Sequence, residues 1–200
     1  MAYPTVAAPY GLQPINLVGG QVYAGQVRQI PIASGSSTDI FYGDIVALDT
    51  NGQLVKVTTT DSATNAVGVF LGCSYTNPAT MQPLFYQCYN GPVTASDIKA
   101  FVQDDPDQLY KVAVVSSGTT ISGVTRAAVG QNAALAQNSG STTTGDSKVA
   151  VLAATGTATT LPLRVIDVIP ETVNASGSYT EVIVKFNFGV HTYTTGVAVA

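Results

Sequence analysis

The chain is predicted to be all-β, on three observations: a hairpin signal at Asn51-Gly52, a period-two strand near the carboxyl end, and a low-charge composition whose Thr and Ser suit exposed strand faces. Only 10% of the 200 residues are charged, against roughly 25% in ordinary soluble domains, while 46% are hydrophobic.

The hairpin lies in the stretch Gly43 to Leu71, GDIVALDTNGQLVKVTTTDSATNAVGVFL. Asn-Gly suits a two-residue loop with positive φ at both positions. If Asn51 and Gly52 form the turn, Leu48 faces Val55 and Val46 faces Val57, which makes one face wholly apolar. The other face pairs Asp49 with Leu54 and Ala47 with Lys56. Thr60-Asp61-Ser62 then turns the chain into Ala66-Val67-Gly68-Val69-Phe70-Leu71, a return strand apolar on both faces. Gly68 inside it indicates a bulge or a close backbone approach.

Residues 1–20 carry prolines at 4, 9 and 14, each of which removes a backbone donor and drives the preceding residue out of helix. They are expected to form an extended arm, able to span ~60 Å at ~3.3 Å per residue. Tyr3, Val6, Tyr10, Leu12, Ile15, Leu17 and Val18 are a large apolar load for water, so the arm is expected to lie on its own body or on a neighbour. Residues 21–200 form the β-rich body. It divides into two possible lobes, 21–115 and 147–200, joined by a loop and short-helix segment over 116–146.

Within the body, Gln21 to Ile32 predicts one or two short strands. Leu84 to Tyr89, Ile98 to Val102 and Leu109 to Val115 predict one each, with Asp104-Asp105-Pro106-Asp107 a tight acidic turn between the last two. Arg126 to Asn138, RAAVGQNAALAQN, is the one helical candidate: alanine-rich, closed by Ser139-Gly140, and weakened by Gly130. Val149 to Leu152 and Leu161 to Ile169 are strands. Tyr179 to Thr192 is the longest, with Val182, Val184, Phe186, Phe188 and Val190 facing the core, and Glu181, Lys185, Asn187 and His191 facing away.

Several function classes are disfavoured. The net charge is -4 and the eight basic residues are spread singly, so no phosphate-binding patch can be assembled from the sequence and nucleic acid is not an expected partner. No apolar run approaches the ~18 residues of a membrane span, and Met1-Ala2-Tyr3-Pro4 does not resemble a secretory leader. Synthesis and folding are therefore expected in a cytosol, with no membrane partner, and Cys73 and Cys88 are expected as small buried thiols. Catalysis would have to use the single histidine, His191, on the polar side of a regular strand, and no strained nucleophile turn is present. No catalytic residue, cofactor or metal site is expected. Asp104, Asp105 and Asp107 lack the offsets of a calcium loop, and the two cysteines lack zinc spacing. The low-charge, threonine-rich surface is read either as the exposed faces of an all-β protein or as that of a subunit working inside an assembly. The ten tyrosines are read as core and interface packing rather than a sugar-binding face.

Three stretches carry a resemblance to a known family: PYGLQPINLVGGQVYAG with QIPIASG near the start, GDIVALDTNGQLVKV with AVGVFLG in the centre, and AAVGQNAALAQNSGSTTTGDSK with LPLRVIDVIP and SGSYTEVIVKFNFGVHTY toward the end. Together they resemble the capsid decoration, or cement, proteins of tailed bacteriophages. The resemblance implies a β-barrel or β-tulip-like body of antiparallel strands with an extended N-terminal arm and at most one short helix. It implies a non-enzymatic protein made in the host bacterial cytoplasm that binds the outer surface of the virion. There it stabilises contacts between major capsid protein subunits, as a homotrimer or other small homo-oligomer. The arm implies a partner interface over Tyr3, Pro4, Val6, Pro9, Tyr10, Leu12, Pro14, Ile15 and Leu17. A tail, neck or fibre component and a glycan-binding surface module are the rival readings.

Overall fold

The structure is a computed structural model, and it describes residues 6–58, 65–189 and 191–195. The chain is mainly β. Its elements are β1 (Gln13–Leu17), β2 (Arg28–Pro31), β3 (Ile45–Leu48), β4 (Leu54–Lys56), β5 (Ala66–Thr76), β6 (Pro83–Tyr86), β7 (Lys99–Gln103), β8 (Gln108–Ser117), β9 (Thr120–Ile121), β10 (Asn132–Ala136), β11 (Ala150–Gly156), β12 (Leu163–Val168) and β13 (Glu181–Phe186). One four-residue helix, α1 (Thr192–Thr195), follows.

Five strands close on themselves in the order β8-β11-β10-β12-β13, and β13 returns to pair with β8. Closure removes the sheet edges. The pairings are antiparallel except β8 with β11, where Val114 lies beside Val151 in parallel. The barrel is filled by alternate residues, among them Tyr110, Val112 and Val114 from β8, Leu163 and Val165 from β12, and Val182, Val184 and Phe186 from β13. The period-two pattern read from residues 182–186 is thus the lumen of the barrel.

The second sheet runs β2-β7-β5-β3-β4, with β6 on the flank of β5. One face, through Ile45, Ala47, Val57, Ala66 and Val69, joins the core cluster of the barrel. The other face, through Val46, Leu54, Val67, Phe70, Cys73 and Val102, is roofed by Ile32, Ile40, Tyr89, Ala95 and Ile98 from the loops. That double burial explains why Ala66 to Leu71 reads as apolar on both sides. The β3–β5 register shifts between Val46 and Ala47 opposite Gly68 and Ala66. A Cβ on Gly68 would stand 2.0 Å from the Gln103 carbonyl oxygen. Both meanings read into Gly68, bulge and close approach, are present.

The hairpin is where expected, but its register differs by one residue. Val46 pairs with Lys56, Ala47 with Val55 and Leu48 with Leu54. The reason lies in Asp49, whose Oδ1 accepts the N–H groups of Asn51 and Gln53, each at 2.8 Å. Asp49 also pairs with Gln53 through the backbone, so the loop has three residues and Gly52, at φ 72°, supplies its left-handed position. The turn Thr60-Asp61-Ser62 lies outside the described residues.

The expected helix over residues 126–138 is absent. A single 3-10 turn spans Arg126–Ala128, and Asn132–Ala136 is the strand β10 between β11 and β12. Gly130 breaks the segment at φ 86°, and every residue of β10 is buried. Alanine's helix propensity is overridden because a barrel strand covered on both sides takes small side chains without penalty. The C-terminal strand also ends early, at Phe186. Phe188 is 57% exposed and His191 1% exposed, the reverse of the faces expected for them, while Val190 lies outside the described residues.

Candidate functional site

Residues 9–17, expected as a partner-facing ribbon, are built into the body. Leu12 is fully buried in the main core and Pro9 is buried. Tyr10 donates its hydroxyl to Glu181, and Lys111 stands 5.3 Å above the Tyr10 ring. Burial and the Glu181 carboxylate push the Tyr10 phenol well above its usual range. Pro14 pairs with Tyr110, while Ile15 and Leu17 are half-buried on β1. Of the two homes open to this apolar load, it takes its own body, since antiparallel pairing with β8 satisfies the backbone that its prolines leave extended. Val6 is half-buried; Tyr3 and Pro4 lie outside the described residues.

His191 is packed edge-on against Phe186 and Tyr193 and bridges Ala66 of β5. Its Nδ1 accepts from the Tyr193 N–H at 3.3 Å. Burial holds its pKa below the usual imidazole value, against the opposing pull of Asp104 and the Val67 carbonyl. The acidic turn is tied internally: Asp104 to Arg28 at 2.8 Å, Asp107 to Lys185 at 2.8 Å, and Asp105 Oδ1 to the Asp107 N–H at 2.8 Å. Among the described residues no group of three or more His, Cys, Asp or Glu side chains could hold a metal ion, and no helix is long and apolar enough to cross a membrane. Cys73 and Cys88 are free thiols; Cys73 is buried and Cys88 half-buried.

Two surfaces stand out instead. The first is on the barrel, where Phe188 (57% exposed) and Val18 (48%) are left open to solvent. Val18, Ile166, Phe186 and Phe188, with the stem of Lys185, line a small apolar cavity of about 180 Å³. Lys185 Nζ sits 4.1 Å from the Phe188 ring centre.

The second is the free flank of the other sheet. Strand β5 outlasts β3, and beyond Gly72 its flank is taken by β6, which pairs Cys73 with Tyr86, Ser74 with Phe85 and Thr76 with Pro83. On its opposite edge β5 pairs Ser74 with Lys99 and Gly72 with Phe101 of β7, and β7 pairs Phe101 with Gln29 of β2. Residues directly opposite one another share a face. Cross-strand rows therefore run Gln29–Phe101–Gly72 and Lys99–Ser74–Phe85. A third begins where Asp97 replaces the next ladder bond, accepting the Thr76 N–H at 3.0 Å and its hydroxyl at 2.6 Å. Those bonds hold the Asp97 carboxyl below the usual range.

These rows line an open cleft of about 320 Å³. A neighbouring cleft of about 330 Å³ continues past Asp97 and Thr76 to Met81 and Pro78. Phe85 is 73% and Met81 75% exposed. On the reverse face Tyr75 and Tyr86 stack with ring centres 5.7 Å apart. The sequence signal for this surface was the run Leu84-Phe85-Tyr86 between Pro83 and the Gly91-Pro92 loop: consecutive large apolar residues on a short strand cannot all point inward. Nothing marked Gln29, Ser74, Asp97 or Lys99, because their convergence depends on strand pairing across 70 residues.

No family model, no curated protein and no solved structure matches this chain.

Proposed function

We propose that this is a non-enzymatic virion structural protein of a tailed bacteriophage. In this reading it binds the outer surface of the capsid as a small homo-oligomer and stabilises contacts between major capsid protein subunits. The observation that carries the reading is the exposed apolar pair Val18 and Phe188 beside an apolar cavity on a closed barrel. Exposed apolar groups that cluster beside a cavity mark a protein contact more than chance exposure does. The low charge fits a chain that spends its working life against neighbours, and the resemblance of its three stretches to decoration proteins points to the same class.

The mechanism is physical. Pressure from packaged DNA loads the joints between capsomers, and a subunit bound to two neighbours at once adds interface area and multivalent closure where the shell would open. Because residues 9–17 are committed to β8 and the core, the contact is assigned to the barrel patch rather than to a detached ribbon.

Co-sedimentation with capsids stripped of this protein tests the reading. The intact chain pellets with the capsids in a saturable ratio, and Phe188→Ser combined with Val18→Ser weakens that binding at least tenfold while leaving the fold intact. Equal binding by the double variant, or none by the intact chain, contradicts it.

A further inference from the structure

We propose that the outer face of the β2-β7-β5-β6 flank is a carbohydrate platform that takes a neutral, hydroxyl-rich glycan. The inference stands apart from the capsid reading and rests on the make-up of one face.

The face alternates rings with hydrogen-bonding side chains. Phe85 and Phe101 supply apolar surfaces against which the C–H faces of a sugar ring can pack, in a cleft of about 320 Å³. That volume is at the lower end of the roughly 300–1,000 Å³ of small-ligand sites. Beside the rings stand Gln29, paired with Phe101, and Ser74 and Lys99, in the row of Phe85; their side chains have no hydrogen-bond partner among the described residues and line the cleft. They offer an amide, a hydroxyl and an ammonium, the last two directly opposite one another across strands and the amide in the next row. Asp97, also lining the cleft, is held in one orientation by Thr76 and keeps lone pairs free for ligand hydroxyls.

The charge balance selects the ligand. One carboxylate beside one ammonium gives no net field, which fits neither an anion nor a polycation. A protein partner is a poorer fit, because the buried centres of protein interfaces are depleted of lysine and aspartate. Here those residues sit in the middle of the face. A ligand whose every ring carries hydroxyls on its rim and C–H groups on its faces satisfies both kinds of surface at once.

Titration of the full chain with maltohexaose, cellohexaose, laminarihexaose, mannohexaose and chitohexaose, followed by saturation-transfer NMR, tests the proposal. Affinity electrophoresis in the corresponding polymers runs beside it. Saturable binding of at least one glycan is expected, weakened about tenfold by Phe85→Ala and by Asp97→Asn, and unchanged in Val55→Thr on the exposed side of β4. Retention by polymer alone assigns the ligand to a surface polysaccharide, whereas equal binding of hexamer assigns it to free oligosaccharide. Near-ultraviolet circular dichroism confirms that each variant is folded. Absence of binding across the panel, or binding indifferent to both substitutions, overturns the proposal. So does concentration-dependent self-association that Phe85→Ala abolishes, since a second copy would then cover the face.

Discussion

Lys56 Nζ lies 2.7 Å from Asp44 Oδ2, with the Asp44 side chain fully buried and that of Lys56 12% exposed. The same carboxylate accepts the Phe41 N–H at 2.9 Å and the Ser147 hydroxyl at 2.6 Å. Ser147 Oγ in turn accepts the Val149 N–H, while Gly11 and Leu12 donate to Val149 and Gly43. One buried acid therefore joins the hairpin, the loop before β11 and the N-terminal segment.

Asp44→Ala strands an ammonium, a hydroxyl and an N–H in the interior, and is expected to cost about 3–5 kcal/mol in urea unfolding. Adding Lys56→Met to that variant is expected to return part of the loss, because the unpaired buried charge is gone. A double variant no more stable than Asp44→Ala would show that the pair is not coupled.

The glycines separate close approach from backbone freedom. Gly68→Ala drives a Cβ to 2.0 Å from the Gln103 carbonyl oxygen, a backbone atom between two paired strands that cannot move alone. It is expected to cost ~3 kcal/mol or more, or to prevent folding. Gly52→Ala meets nothing within 4 Å but holds φ 72°, so its cost is the left-handed penalty of about 1–2 kcal/mol. Thermal unfolding of the two variants ranks them.

Stability is expected to fall as the solution is acidified from the ordinary imidazole pKa down through the folded value of His191. Burial lowers the folded pKa of His191 beneath its unfolded value of about 6.5, so the unfolded chain takes up the proton first. The contribution of the neutral ring is complete above the unfolded pKa and is lost as pH falls through the folded pKa. Asp49 and Asp97, whose folded pKa values are also lowered, lose their contributions only in the carboxylate range below it. His191→Gln is expected to remove the upper of these two slopes from a plot of unfolding free energy against pH; an unchanged upper slope would contradict the assignment.

The two thiols are expected to react in order. Burial pushes Cys73 up to about 12, and its Sγ faces the Cys88 carbonyl at 3.6 Å. Cys88 is only half-buried, and its thiol is raised by burial and by the nearby Asp39 carboxylate. Iodoacetamide at pH 8 should label Cys88 first, and Cys73 only as the chain unfolds. Peptide mapping after timed quenching reads the order directly.

Much of the strand plan was legible because burial alternates cleanly where one side of a strand meets the core, as at Val182, Val184 and Phe186. The Asn51-Gly52 turn was legible in place but not in register, since a carboxylate two residues upstream chose a three-residue loop. Residues 132–136 were misread because alanine reports helix propensity, not the two-sided burial that makes it fit a barrel wall. The N-terminal load was recognised with two possible homes, its own body or a neighbour, and the choice between them was not legible because nothing local says that Pro14 lies beside Tyr110. The polar members of the sheet-flank surface are scattered from Gln29 to Lys99, and only the pairings assemble them.

Copy number in purified virions tests the central claim most directly, by quantitative mass spectrometry of this chain against the major capsid protein. The capsid reading predicts a ratio near one to one, or a simple fraction fixed by shell symmetry. A handful of copies per particle would place the protein in a tail, neck or fibre, and its absence from the particle would contradict a structural role altogether.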